Sequence, residues 1–164
     1  MSPTRSQPPL PPRRSTSDTP TIHQLARPHQ PSFFLPGRVG GVPVQVLVDT
    51  GCTTNLLAKR VFDQLPQKTQ AAKEDYAAHG IMANGARLAF SGLVQNDFRI
   101  RQHHGEETFV VGDVDEDVIL GMPFLAKHGC QLNFQWNMLT LQDQELICTD
   151  RQGRARFSRL QACR

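Results

Sequence analysis

Residues 44–51 read Val-Gln-Val-Leu-Val-Asp-Thr-Gly, an apolar strand that runs directly into an acid, a hydroxyl and a glycine. A strand of this kind is held rigid by its neighbours, and the glycine allows the backbone to turn sharply where the strand ends. The carboxylate of Asp49 is thereby delivered to a fixed point, which is what catalytic acid-base chemistry demands of its scaffold.

The surroundings bound what the remainder of the 164-residue chain can do. Nine of the twelve prolines fall between Met1 and Pro36, in a stretch poor in aliphatic residues, and residues 151–164 hold five arginines and no acid. Neither end can bury enough apolar surface to offset its ordering entropy. The expected organisation is a disordered Pro-rich arm over 1–31, a folded domain over 32–149 and a basic tail over 150–164. The formal charge of +3 is spread unevenly, with +3 in 1–31, +5 in 151–164 and −5 between them. The tail offers a weak, non-specific contact to nucleic acid, but the chain has no zinc knuckle or aromatic stacking platform. Cys52, Cys130, Cys148 and Cys163 have no CxxC spacing, so neither a zinc ribbon nor a disulfide framework is expected. No apolar run approaches 18 residues, and the first residues lack the apolar core of a signal peptide. The expectation is a cytoplasmic protein with no membrane partner and no cofactor.

Short strands dominate the middle. Phe33-Phe34-Leu35 opens it, Pro36-Gly37 reads as a turn, and Gly40-Gly41 makes a hairpin into Val44–Val48. Leu56, Leu57, Val61, Phe62 and Leu65 suggest a short helix ended by Pro66. Asn84-Gly85, between Ile81-Met82 and Leu88-Phe90, is a strong hairpin signal because both residues tolerate positive φ. A second hairpin is expected around His103-His104-Gly105-Glu106. The histidine pair then reads as exposed turn material without a third ligand, so no metal site is expected. The acids at 113–117 lack EF-hand spacing and read as a solvated loop. Pro123 near the start and Gly129 past the end bracket a short helix, and residues 130–134 and 138–141 close the domain as strands.

Hydrolysis of an amide needs one group to take a proton from water and another to give one to the carbonyl oxygen. The chain supplies one suitable acid, Asp49, and no second copy of Asp-Thr-Gly. A complete site therefore calls for a twofold-related partner, which predicts a homodimer acting on a peptide. The hairpin at Ile81, Met82, Ala83, Asn84 and Gly85 could close over the peptide as a flap, or be a plain structural hairpin.

Leu47-Val48-Asp49-Thr50-Gly51-Cys52-Thr53-Thr54-Asn55, Ala83-Asn84-Gly85 and Val118-Ile119-Leu120-Gly121-Met122-Pro123-Phe124-Leu125 together resemble the retropepsin-like aspartic proteases of retroviruses and long-terminal-repeat retrotransposons, over roughly residues 33–142. The resemblance implies an all-β acid protease fold, a small closed β domain with one short C-terminal helix, active as a homodimer. It implies Asp49 as the catalytic residue of each subunit, Thr50 in a hydroxyl network across the twofold axis, and Gly51 in the active-site turn. Residues 81–88 would form the flap, while Ile119, Leu120 and Gly121 would pack beneath the catalytic loop and line pockets. Polyprotein or self-processing would be the role. Cys52 stands where the family usually has alanine and fits as a residue of similar size; a cysteine nucleophile is the rival reading. An inactive dimerisation or peptide-binding module of the same fold is the alternative function.

Overall fold

In the computed structural model, residues 32–76, 78–82 and 85–155 are described. The Pro-rich arm, Ala77, Ala83, Asn84 and residues 156–164 lie outside them, and with them the central pair of the expected flap.

The first two strands, β1 (Phe34–Val39) and β2 (Val42–Val48), form the expected hairpin, with Val39 opposite Val42 across Gly40-Gly41. Both glycines have positive φ, +53° and +83°, as a tight two-residue turn requires. Along β2, Val44, Val46 and Val48 are buried while Gln45 and Leu47 are half-buried, the alternation of a strand with one face on the core. Pro36-Gly37 is not a turn. It lies inside β1, where Gly37 faces the carbonyl of Arg99, and a Cβ there would stand 2.9 Å from that oxygen.

A second difference concerns residues 56–65. Leu56–Ala58 is a strand, β3, and the helix α1 covers Lys59–Phe62 alone. Leu56 and Leu57 are buried on both sides, so their apolar run is that of an interior strand rather than one face of a helix. Pro66 ends nothing further; it opens α2 (Gln67–Ala71), the position at which its missing N–H costs least.

Strands β4 (His79–Ile81) and β5 (Arg87–Ile100) pair as a hairpin at the segment expected to be a flap, and β5 runs for 14 residues in all, through a bulge between Phe90 and Gly92. Its partner β6 (His103–Gly112) begins at the histidine pair, so the turn is Arg101-Gln102 and not His103–Glu106. Polar residues and a glycine resemble a turn, but Gly105 sits in the ladder opposite Phe98, and the apolar alternation of Phe98 and Ile100 fixes the register.

Strand β7 (Val118–Leu120) runs parallel to β2 and antiparallel to β3, which in turn is parallel to β6. Strand order β1-β2-β7-β3-β6-β5, with β5 returning to β1, closes a barrel, and β4 extends one end of β5. The core inside it is built on Phe98, Phe109, Phe124, Leu57, Ile100 and Leu120. Phe98 meets Phe109 and Phe124 edge to face at 5.6 and 5.7 Å. Helix α3 (Met122–Lys127) follows β7, with proline in its first turn. A separate sheet of β8 (Gln131–Asn133), β9 (Met138–Leu141) and β10 (Gln144–Ile147) completes the domain. The β9–β10 turn uses Gln142 and Asp143 at positive φ without a glycine, so Asp143 is its one local turn signal in the sequence. Thus the domain is all-β and closed, as expected, with two short helices besides α3, of which α1 lies within the segment expected to be helical and α2 was not expected. No helix among the described residues is long and apolar enough to cross a membrane.

The segment beginning at Asp150, read as the start of a loose tail, is tied down as far as it is described. Thr149 bridges Phe34, Asp150 accepts hydrogen bonds from the backbone of Gln152 and Arg154, and Arg151 pairs with Glu116. The acidic loop is likewise structural in part: Asp117 accepts from the Gln45 amide at 2.8 Å and from Arg60 at 2.7 Å.

Burial pushes the Cys148 thiol up to about 12 and Cys130 up to about 11, from an ordinary 9.0. The folded chain keeps these protons where the unfolded chain releases them. This contribution to stability is therefore full below pH 9 and is lost as pH rises from 9 towards 11 and 12. Denaturation midpoints measured across that range should fall, and Cys130→Ser with Cys148→Ala should flatten the decline.

Candidate active site

Strand β2 ends at Val48, and the next peptide is captured at once: the Asp49 amide donates to the Leu120 carbonyl at 3.0 Å, at the end of the parallel β2–β7 pairing. The Asp49 Oδ1 accepts the Gly51 N–H at 2.8 Å, and the Cys52 amide closes the turn on the Asp49 carbonyl at 3.2 Å. A Cβ on Gly51 would stand 3.2 Å from that same Oδ1, so glycine keeps the carboxylate uncrowded. Asp49, Thr50 and Gly51 are all exposed.

Beneath the loop, β7 and α3 hold it from below. The Met122 amide donates to the Cys52 carbonyl at 2.8 Å, and the Gly121 amide to Asn55 Oδ1 at 3.1 Å. Gly121 is packed so closely that a Cβ there would fall 2.2 Å from the Thr54 carbonyl oxygen. Asn55 is buried and also bonds the neighbouring strand β6, its Nδ2 donating to the Thr108 carbonyl at 3.4 Å and its main-chain carbonyl accepting from the Val110 amide. In the sequence Asn55 is marked only as the last residue of the motif over residues 47–55. The one sequence signal for its bridging role is an amide directly before the apolar run Leu56-Leu57, because a polar group carried into the core needs hydrogen-bond partners there. Asn55→Ala should cost about 2 kcal/mol in a urea unfolding experiment, because it leaves the Gly121 N–H buried without a partner.

An open cleft of about 820 Å³ brings Asp49, Gly51 and Cys52 together with Ile81, Met82 and Ile119. Leu88 and Phe90 line it as well, and so do Tyr76, His79 and Glu116, which the sequence did not single out. Ile81 is 79% exposed at the tip side of β4, an apolar side chain held out over the cleft. Gly85 has φ +80° in the hairpin turn, and Met82 bonds the Ala86 carbonyl across it at 2.9 Å. Leu120, expected beside Ile119 in a pocket, instead points into the core and is fully buried, because neighbouring strand residues face opposite ways. The Cys52 thiol donates to the Thr54 carbonyl at 3.1 Å, an inward packing contact and not a nucleophile's bond to histidine.

The histidine pair is the largest departure. His103 is buried at 5% exposure, beside Glu107 on the same strand and His128 at the end of α3, while His104 pairs with Asp97 on the surface. His103 is therefore not turn material, and it stands next to Glu107 of its own strand and His128 from a later helix.

A family model described as aspartyl protease matches residues 35–124. Among solved structures, the retroviral protease-like domain of Ddi1 from Leishmania major superposes with a TM-score of 0.58 at 19% identity, covering 71% of this chain and 93% of that one. The EIAV protease, solved with the inhibitor HBY-793, superposes with a TM-score of 0.51 at 20% identity, covering 66% of this chain and 99% of that one. The barrel, the helix behind β7 and the Asp-Thr-Gly loop seated on it are therefore a retropepsin-like fold, and the chain belongs to the aspartyl protease family.

Proposed function

We propose that this chain is an aspartic endopeptidase that works as a homodimer, with one Asp49 from each protomer at a shared site. The observation that carries the reading is the position of Asp49: a carboxylate braced through its backbone by Leu120 and through its side chain by Gly51, yet exposed at the mouth of an apolar cleft. One such group cannot serve as both proton acceptor and donor, whereas two symmetry mates can.

Two facing carboxylates hold a single proton between them, since ionising both at short range is unfavourable. The ionised member takes a proton from a water lying between them as that oxygen attacks the peptide carbonyl. The protonated member gives its proton to the carbonyl oxygen. Return of a proton to the amide nitrogen then breaks the C–N bond, and the pair is restored. Thr50 would bond its counterpart across the axis and Gly51 would leave room for the two acids. Residues 81–85 would fold over an extended substrate and exclude water. Apolar side chains at Ile81, Met82, Leu88, Phe90 and Ile119 favour cleavage between apolar residues.

The domain would span 32–149 with its tied-down continuation to Ala155, and the arm and the tail beyond would be segments through which a longer polyprotein is cut, including by its own protease. The test is cleavage of an unfolded protein between about pH 4 and 7. Specific activity should rise with enzyme concentration as dimers form, follow a bell-shaped pH profile, and be blocked by a statine-type hydroxyl that displaces the shared water. A chain that binds peptides but cuts none across that range is the non-catalytic module instead.

A further inference from the structure

We propose that His103, Glu107 and His128 form a binding site for one divalent transition ion of zinc's class, independent of Asp49. Strand β6 carries His103 and Glu107 four positions apart, and His128, 21 positions beyond Glu107, meets them because α3 ends against that strand. One ligand atom from each lies within 4.8 Å of the others. The imidazole rings of His103 and His128 are 4.6 Å apart between centroids, and Phe124 packs on both.

The two histidines and the carboxylate are the donor set of an open tetrahedral zinc site, with a fourth position for water. Tetrahedral zinc at about 2.0–2.1 Å from each ligand needs donors roughly 3.3 Å apart. Glu107 Oε1 and His128 Nε2 are now 2.7 Å apart and joined by a hydrogen bond. Binding would spread that pair slightly and draw His103 in, with the shared proton lost to solvent as the metal–nitrogen bond forms.

A buried ion-pair network is the plainer account, and it explains only part of the cluster. Glu107, 5% exposed, is matched by His128 and by Lys127 Nζ at 3.3 Å from both carboxylate oxygens. It leaves His103 Nε2 buried with no hydrogen-bond partner. The Gln142 Oε1 lies 3.3 Å from His103 Nδ1, and a carbonyl oxygen only accepts, so Nδ1 carries the proton and Nε2 presents a lone pair. That is the tautomer of a metal-bound histidine oriented by a second hydrogen bond. An unpartnered buried acceptor is a cost in the bare protein and an asset once an ion binds it. Lys127 is 57% exposed and can withdraw its ammonium into solvent as the dication arrives.

The experiment uses the full chain, freed of metal with a chelator and titrated with Zn2+ and with Co2+. One equivalent should bind. Cobalt should give the visible absorption of a tetrahedral nitrogen–oxygen site without the near-ultraviolet band of thiolate ligation. At free zinc a hundred times Kd, the folded-to-unfolded ratio should rise about 100-fold, with the thermal midpoint up by roughly 10 °C. His103→Gln and His128→Gln should each abolish these effects and His104→Gln should not. Should either buried variant fail to fold, imidazole nitrogen NMR of the unsubstituted chain decides the matter, since His103 and His128 alone should shift at one equivalent. A thiolate band, binding that depends on His104, or no stoichiometric binding would overturn the site and leave a proton-linked ion-pair network in its place.

Discussion

Asp49→Asn is expected to abolish peptide cleavage, by about 10³-fold or more, while leaving the folded protomer as stable as the parent to within about 0.5 kcal/mol. Both halves of the expectation come from the same geometry. The Asp49 side chain is exposed, and its Oδ1 accepts one hydrogen bond, from Gly51. The amide oxygen of asparagine accepts that bond equally well. It cannot take a proton from water, and it cannot share one with a carboxylate across an axis. Mixing parent and variant in equal amounts at constant total concentration adds a sharper readout. If each site needs two chains, about one quarter of the dimers keep both carboxylates, so activity falls to about a quarter; a site complete in one chain would keep half. Cleavage that survives in the pure variant would remove Asp49 from the mechanism altogether.

Gly121→Ala should be the most damaging small substitution in the domain, destabilising it by roughly 3 kcal/mol or more and lowering cleavage out of proportion to the lost folded fraction. The reason is steric. Gly121 has φ −96°, which alanine adopts freely, but its Cβ would fall 2.2 Å from the Thr54 carbonyl oxygen and 2.5 Å from that of Cys52. Both are backbone atoms of the active-site loop and cannot swing aside as a side chain would. Relief requires moving the loop away from α3, and that breaks the bonds from Gly121 N–H to Asn55 and from Met122 N–H to Cys52. Urea unfolding reads the stability and the cleavage assay reads the loop. A Gly121→Ala protein with parental values in both would mean that the loop is not seated on α3 as described.

These two positions were legible in the sequence for different reasons. Asp49 stands out because an apolar strand, an acid and a glycine follow one another within eight residues, and local patterns of that kind survive without any knowledge of the fold. Gly121 was marked through its resemblance to a family element. The cause of its glycine, the pressure of two carbonyls from residues almost 70 positions earlier, exists only once β7 and the loop are adjacent. The same division explains the misreadings. Leu56-Leu57 has an apolar pattern that suits a helix face or an interior strand, and pairing with β6 and β7 chooses the strand. Gly105 looks like a turn residue until Phe98 is placed opposite it.

Composition and short-range pattern thus determined that short strands dominate the middle of the chain, where its hairpin at Gly40-Gly41 turns and which carboxylate sits at a strand end, because each of these rests on interactions between residues a few positions apart. The tertiary structure alone decided that Leu120 turns to the core while Ile119 meets the cleft, that Asn55 ties the loop to Gly121 and Thr108, and that His103 lies beside Glu107 and His128. Those outcomes depend on which strands become neighbours, a choice settled by burying the whole apolar surface at once, which no local segment of the chain contains.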